Sequence, residues 1–161
     1  MLKPVVKVIE VPIDAPFAYR LFTSGIASWW PLDTRSISAH SVGKPAKTIE
    51  ADPIPGGAII EISADDTRYV WGNFADCAPP FSLAIDFHMG QPKEHNTLLA
   101  ISFLQMEEHQ TLVKLVHSGW DCFGPLAQMM REGYDRGWDE IFCNHYAQAC
   151  QKGRFPESRA C

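Results

Sequence analysis

The spacing of apolar positions changes along the chain. From Lys3 to Val11 a β-branched run reads as a strand. The segment IDAPFAYRLFTS then starts a helix, with Asp14 as N-cap and Pro16 in the first turn. Ser24 and Gly25 interrupt it, and IASWWP follows as a short helical or turn segment closed by Pro31. Leu32 to Lys47 is polar and irregular and reads as a surface loop. Thr48 to Ala51 is predicted as a short strand before the turn DPIPGG. From Gly57 the grammar becomes a meander: AIIEIS, RYVWGNFADC, SLAIDFHM, TLLAISFLQM and TLVKLVHSGW are strands. The turns ADDT, APPF and EEHQ are short and the loop GQPKEHN is longer, so consecutive strands are expected to be antiparallel neighbours.

The last element returns to helical spacing. It is predicted to begin near Gly124-Pro125 and to end at Lys152, with Gly153 as C-cap. At 1.5 Å per residue it is roughly 40 Å long. One inward column holds Met129, Gly133, Gly137, Ile141 and His145; the other holds Met130, Tyr134, Trp138, Phe142 and Tyr146. The opposite face carries Arg131, Asp135, Arg136, Asp139 and Glu140, with Glu132–Arg136 and Arg136–Glu140 at ion-pair spacing. Each interior glycine costs a helix about 1 kcal/mol relative to alanine. Gly133 and Gly137 therefore need a reason: close packing against the sheet, or space left for a ligand. Residues 1–152 read as one domain, and the remainder, ending RFPESRAC, as a flexible tail.

A sheet with one long helix buries the helix stripe against one sheet face. With Lys114 facing water, Val113, Leu115 and His117 point inward; with Ser102 outward, Leu99, Ile101 and Phe103 point inward. Leu83, Ile85 and Phe87 join them by alternation. An even-length APPF turn pairs Phe74 with Ile85, and a tight hairpin centred on Asp65-Asp66 then puts Glu61 on the inner face. A change of one residue in either turn would send Glu61 out and bring Ile60, Ile62 and Trp71 in. The predicted interior is thus apolar with two titratable groups, Glu61 and His117. In the first parity Tyr69 and Trp71 lie on the outer face with Ile60 and Ile62, an apolar patch that would serve a homodimer. Trp29 and Trp30 are adjacent and are not expected to point inward together; Trp30 is taken as the residue at a cavity mouth.

Composition narrows the classes. The chain has 161 residues, 46% hydrophobic and 20% charged, enough for one domain with its own core. A net charge of −5 without a Lys/Arg cluster argues against nucleic acid or an anionic membrane as partner. The apolar runs are too short to span a bilayer, and MLKPVVKVIEVP lacks the features of a signal peptide. Five cysteines with no CxxC spacing suggest reduced thiols in a cytoplasmic protein. The six histidines are scattered without ligand spacing, so no metal and no other cofactor is expected. There is no GxSxG and no phosphate loop, and Cys122 near His117 reads as an inert thiol.

Five stretches occur in a known order: FTSGIASWWPL, PGGAIIEI, YVWGNFADCAPPFSLAIDF, VKLVHSGW and GYDRGWDEIF. In this, from about Val5 to Cys150, the chain resembles the SRPBCC (START-like, Bet v 1-like) superfamily. Within it, the chain is most similar to proteins grouped with the C-terminal domain of the activator of Hsp90 ATPase. It departs from them at Asp65-Asp66, where the turn usually ends in Asp-Gly, and at ADCA before the two prolines. The resemblance implies an α+β helix-grip fold. A curved antiparallel sheet wraps a long C-terminal helix, two short helices follow the first strand, and a cavity lies between. The chain is read as starting at the first strand, without the co-chaperone's N-terminal module, so Hsp90 activation is not expected of it.

Three functions follow as expectations. The first is non-catalytic binding of a small hydrophobic molecule. Its ligand set is Trp30, Glu61, Phe74, Ile85, Phe87, Ile101, Phe103, Leu115, His117, Met130, Gly133, Tyr134, Gly137, Trp138 and Ile141. The second is a cyclase- or hydrolase-type enzyme using Glu61 and His117 as an acid–base pair, which requires both to reach one pocket. The third is a stress-related or chaperone-linked interaction module.

Overall fold

The computed structural model describes residues 2–153. Seven strands form one antiparallel sheet: β1 (Val5–Val11), β2 (Thr48–Ala51), β3 (Ala58–Ile62), β4 (Arg68–Ala78), β5 (Ser82–Phe87), β6 (Thr97–Glu107) and β7 (Gln110–Ser118). Their order is β1-β7-β6-β5-β4-β3-β2, so the six consecutive strands β2 to β7 form the meander and β1 closes its far edge. Helix α1 (Ala15–Phe22) is capped by the Asp14 side chain, which accepts from the Phe17 N–H, and carries proline in its first turn. The curled sheet grips the C-terminal helix, which is the expected α+β helix-grip architecture. The tail beyond Gly153 lies outside the described residues.

The C-terminal helix has three parts. Its regular portion, α3 (Ala127–Glu140), follows a tight 3-10 stretch, Trp120–Leu126, in which Gly124 takes a non-helical conformation with φ 57°. The helix proper therefore starts two residues after Pro125. A wider π-helical stretch, Ile141–Tyr146, leads into α4 (Ala147–Lys152), which ends on left-handed Gly153. In a regular helix an i, i+4 row drifts sideways by roughly 40° per step. The wider turn absorbs that drift, so Trp138, Phe142, Tyr146 and Cys150 all stay buried. On one flank Lys7 of β1 bonds Asp135 at 2.5 Å and Asp139 at 2.8 Å, and Arg131 bonds the backbone carbonyls of Lys3 and Pro4. Arg131 also pairs with Asp135. Glu140, expected to pair with Arg136, instead reaches Arg35 at 3.0 Å.

The interior is filled by the sheet's own side chains. Phe74, Leu83, Ile85, Phe87, Leu99, Ile101, Phe103, Val113 and Leu115 are at most 3% exposed. The predicted Phe74–Ile85 pair is present, by another route. The turn after Ala78 holds three residues, and a bulge at Ala75 restores the register. A second bulge shifts β3 against β4: Ile59 faces Gly72, Ile60 faces Val70, and Trp71 is the extra residue. Gly72 is required there, because a Cβ would lie 2.1 Å from the Asp86 carbonyl oxygen.

Candidate functional site

The bulge decides what the inner face carries. Tyr69 and Trp71 of β4 turn inward beside Glu61, and the register shift then brings Phe74 inward as well. The two parities weighed from the sequence had put Glu61 and Trp71 on opposite faces; both are fully buried on the same one. The outer patch built on Tyr69 and Trp71 therefore does not exist.

Glu61 is an anchor. Its Oε1 accepts from the Ile37 N–H at 2.8 Å and from the Trp71 Nε1–H at 3.0 Å. Its Oε2 accepts from the Ser38 N–H at 2.8 Å and the Ser38 Oγ–H at 2.5 Å. All four partners are donors, and two are free N–H groups of the first turn of a helix. That helix is α2 (Ile37–Val42), which lies within the stretch read from the sequence as a loop. Ser36 caps it by accepting from the Ala39 N–H, and Gly43 ends it at φ 68°. The Ser36…Gly43 cap pair was the signal available in the sequence. Polar composition masked it because the helix is barely two turns long.

His117 is a packed core residue. Its Nδ1 accepts from the Trp138 Nε1–H at 3.0 Å, so Nε2 carries the proton and donates to Thr97 Oγ at 2.7 Å. Thr97 Oγ in turn donates to the Phe87 carbonyl at 2.8 Å. The rings of Trp120 and Tyr134 lie 4.4 and 4.9 Å from the imidazole. Burial pushes its pKa down to about 3, so the ring stays neutral.

The open space lies elsewhere. A cleft of about 550 Å³ runs between α3, α2 and the turn after β5. Its walls are Met129, Met130, Gly133, Tyr134, Gly137, Trp138 and Ile141 of the C-terminal helix, and Arg35, Ser36, Ile37, His40 and Ser41 on the α2 side. Trp30, Tyr69, Met89, Gly90 and Gln91 complete it. The turn after β5 folds back onto β4, since Met89 N–H bonds the Trp71 carbonyl and Gly90 N–H that of Val70. A Cβ on Gly133 would meet nothing within 4 Å, and one on Gly137 only the Arg35 Nη1 at 3.9 Å. The two helix glycines thus face open space rather than a packing contact. Burial raises the Tyr134 phenol to about 12, which keeps it a donor.

Of the ligand set expected from the sequence, Trp30, Met130, Gly133, Tyr134, Gly137, Trp138 and Ile141 line the cleft. Glu61, Phe74, Ile85, Phe87, Ile101, Phe103, Leu115 and His117 do not: they are buried and packed. The acid–base pair is overturned with them, because neither Glu61 nor His117 reaches the cleft and both are fully hydrogen-bonded. The two tryptophans are both buried: Trp30 borders the cleft and Trp29 packs on Phe22 and Tyr146. Sequence reasoning missed the α2-side wall (Arg35, Ser36, Ile37, His40 and Ser41), Tyr69, the turn residues Met89, Gly90 and Gln91, and Met129, the last although it stood in the inward column. Among the described residues no cluster of three or more His, Cys, Asp or Glu could hold a metal ion, and no helix is long and apolar enough to cross a membrane.

Comparison with known proteins places this geometry. The model of the family described as Activator of Hsp90 ATPase homolog 1-like protein matches residues 17–144. No curated protein matches the sequence significantly. Among solved structures, an anthrahydroquino-γ-pyrone synthase, Txn09, is 23% identical over 91% of this chain and 96% of its own, with a TM-score of 0.65. CalC from Micromonospora echinospora, a self-sacrificing resistance protein, is 20% identical over 94% and 96%, with a TM-score of 0.67. An HSP90 activator from Plasmodium falciparum is 15% identical over 88% and 96%, with a TM-score of 0.53. At these identities the likeness establishes the shared fold.

Proposed function

This chain belongs to the Activator of Hsp90 ATPase homolog 1-like family, and we propose that it binds a small, largely apolar molecule in the cleft between α3 and α2, without chemistry on it. The observation that carries this reading is the pair Gly133 and Gly137, whose missing side chains leave cleft volume. A helix gives up about 1 kcal/mol at each such glycine. No close packing contact accounts for that cost here, whereas a binding volume does. Cleft size falls within the range of small-molecule sites. Apolar walls of Trp30, Ile37, Met89, Met130, Trp138 and Ile141 favour an apolar body. The methionines add adaptable contacts.

Native mass spectrometry of protein purified from its host tests the reading, together with displacement of an apolar fluorescent dye. Gly133→Leu and Gly137→Leu are expected to fold and to lose saturable binding, because leucine occupies the cleft. Undiminished binding in both variants would reject the site, and a wild-type protein that takes no small molecule would reject the function.

A further inference from the structure

The lining of the cleft also restricts the chemistry of what enters it; this step rests on the binding reading above and refines its ligand. The chain as a whole is acidic, with 19 Asp and Glu against 14 Lys and Arg. None of those carboxylates lines the cleft, although Arg35 and His40 do. Arg35 sits against the bare stretch of α3: its Nη1 lies 3.9 Å from where a Gly137 Cβ would be. Its backbone is fixed, since the Trp30 Nε1–H donates to the Arg35 carbonyl at 2.8 Å. Its guanidinium is aimed, since Nη2 donates to Glu140 Oε1 at 3.0 Å and Thr34 Oγ bonds the other oxygen of Glu140. That ion pair uses one edge of a five-donor group. Nη1 has no partner among the described residues and borders the cleft.

We infer that the molecule bound in this cleft is an anionic amphiphile. Its apolar body lies along Gly133 and Gly137, and its carboxylate or sulfonate-like group is received by Arg35. The remaining edge of the guanidinium offers paired donors to a planar anion. Glu140 does not cancel this, because its side chain is 36% exposed and its charge is screened by solvent.

A matched pair of probes tests the inference on the intact protein: anilinonaphthalene sulfonate, and phenylnaphthylamine, which keeps the aromatic body without the anion. Saturable fluorescence titration is expected to show the sulfonate bound about tenfold or more tightly, the worth of a charged hydrogen bond. Arg35→Gln is expected to erase that preference and leave phenylnaphthylamine binding in place. Glu140→Gln breaks the same ion pair but keeps the guanidinium, and is expected to tighten the sulfonate. Equal affinity of the wild type for both probes overturns the anion site while leaving the binding reading intact. So does a preference that survives Arg35→Gln, or one that Glu140→Gln abolishes equally. Saturable binding of neither probe overturns both proposals.

Discussion

Two polar side chains lie fully buried on the inner face of one sheet, and they organise different regions. His117 sits at the packed end, where its two ring nitrogens tie Trp138 of the helix to Thr97 of β6 among tilted and edge-on aromatic rings. Glu61 sits at the open end, where its two oxygens tie α2 to the sheet and hold one wall of the cleft. Burial alone does not distinguish a core node from a site-building one. What differs is the partner: His117 bonds side chains already in the core, whereas Glu61 bonds the backbone of a short element that cannot hold itself. A helix of six residues is far below the length at which helices are stable alone. The carboxylate supplies acceptors its first turn lacks.

The comparison breaks first at Glu61. Glu61→Leu leaves the Ile37 and Ser38 N–H groups, the Ser38 hydroxyl and the Trp71 indole without acceptors, and is expected to cost on the order of 4 kcal/mol. Urea unfolding measures the cost. Hydrogen exchange should show residues 37–42 losing protection well before β6 and β7. Protection in α2 that matches wild type would show that Glu61 is not its anchor.

His117 is expected to answer to pH instead. The unfolded chain binds a proton at its imidazole near pH 6.5, whereas the folded chain does so only near 3. Stability from this group is therefore full above pH 6.5 and falls as pH drops through the window between the two values. Between pH 6.5 and 5 the loss is about 2 kcal/mol. His117→Asn should remove that slope, whatever it costs at neutral pH, and should leave exchange in α2 unchanged. Denaturant midpoints at several pH values read it directly.

The glycines carry a smaller effect of opposite sign. Gly133→Ala places a methyl in open space on a helix and should stabilise by up to about 1 kcal/mol, seen as a raised melting temperature. A loss of stability there would restore the close-packing explanation. The smallest effect belongs to Glu140→Gln, which removes a half-exposed ion pair and should change stability by less than about 1 kcal/mol.

Much of this fold was legible along the chain. Strand alternation gave the inward rows of β5, β6 and β7, and helical spacing gave the C-terminal stripe up to its end at Gly153, because both periodicities are local consequences of backbone geometry. The glycines could be singled out in the sequence, because their cost is local to the helix. Whether they faced a contact or a space could not, since that depends on what stands across from them. The face of Trp71 was equally out of reach, because one extra residue in a strand reverses parity and only the partner strand reveals it. The cleft itself was decided by tertiary structure. It took shape where α2, the turn after β5 and the bare stretch of α3 meet, three segments remote in sequence, held in place by the hydrogen bonds of Glu61 and Arg35.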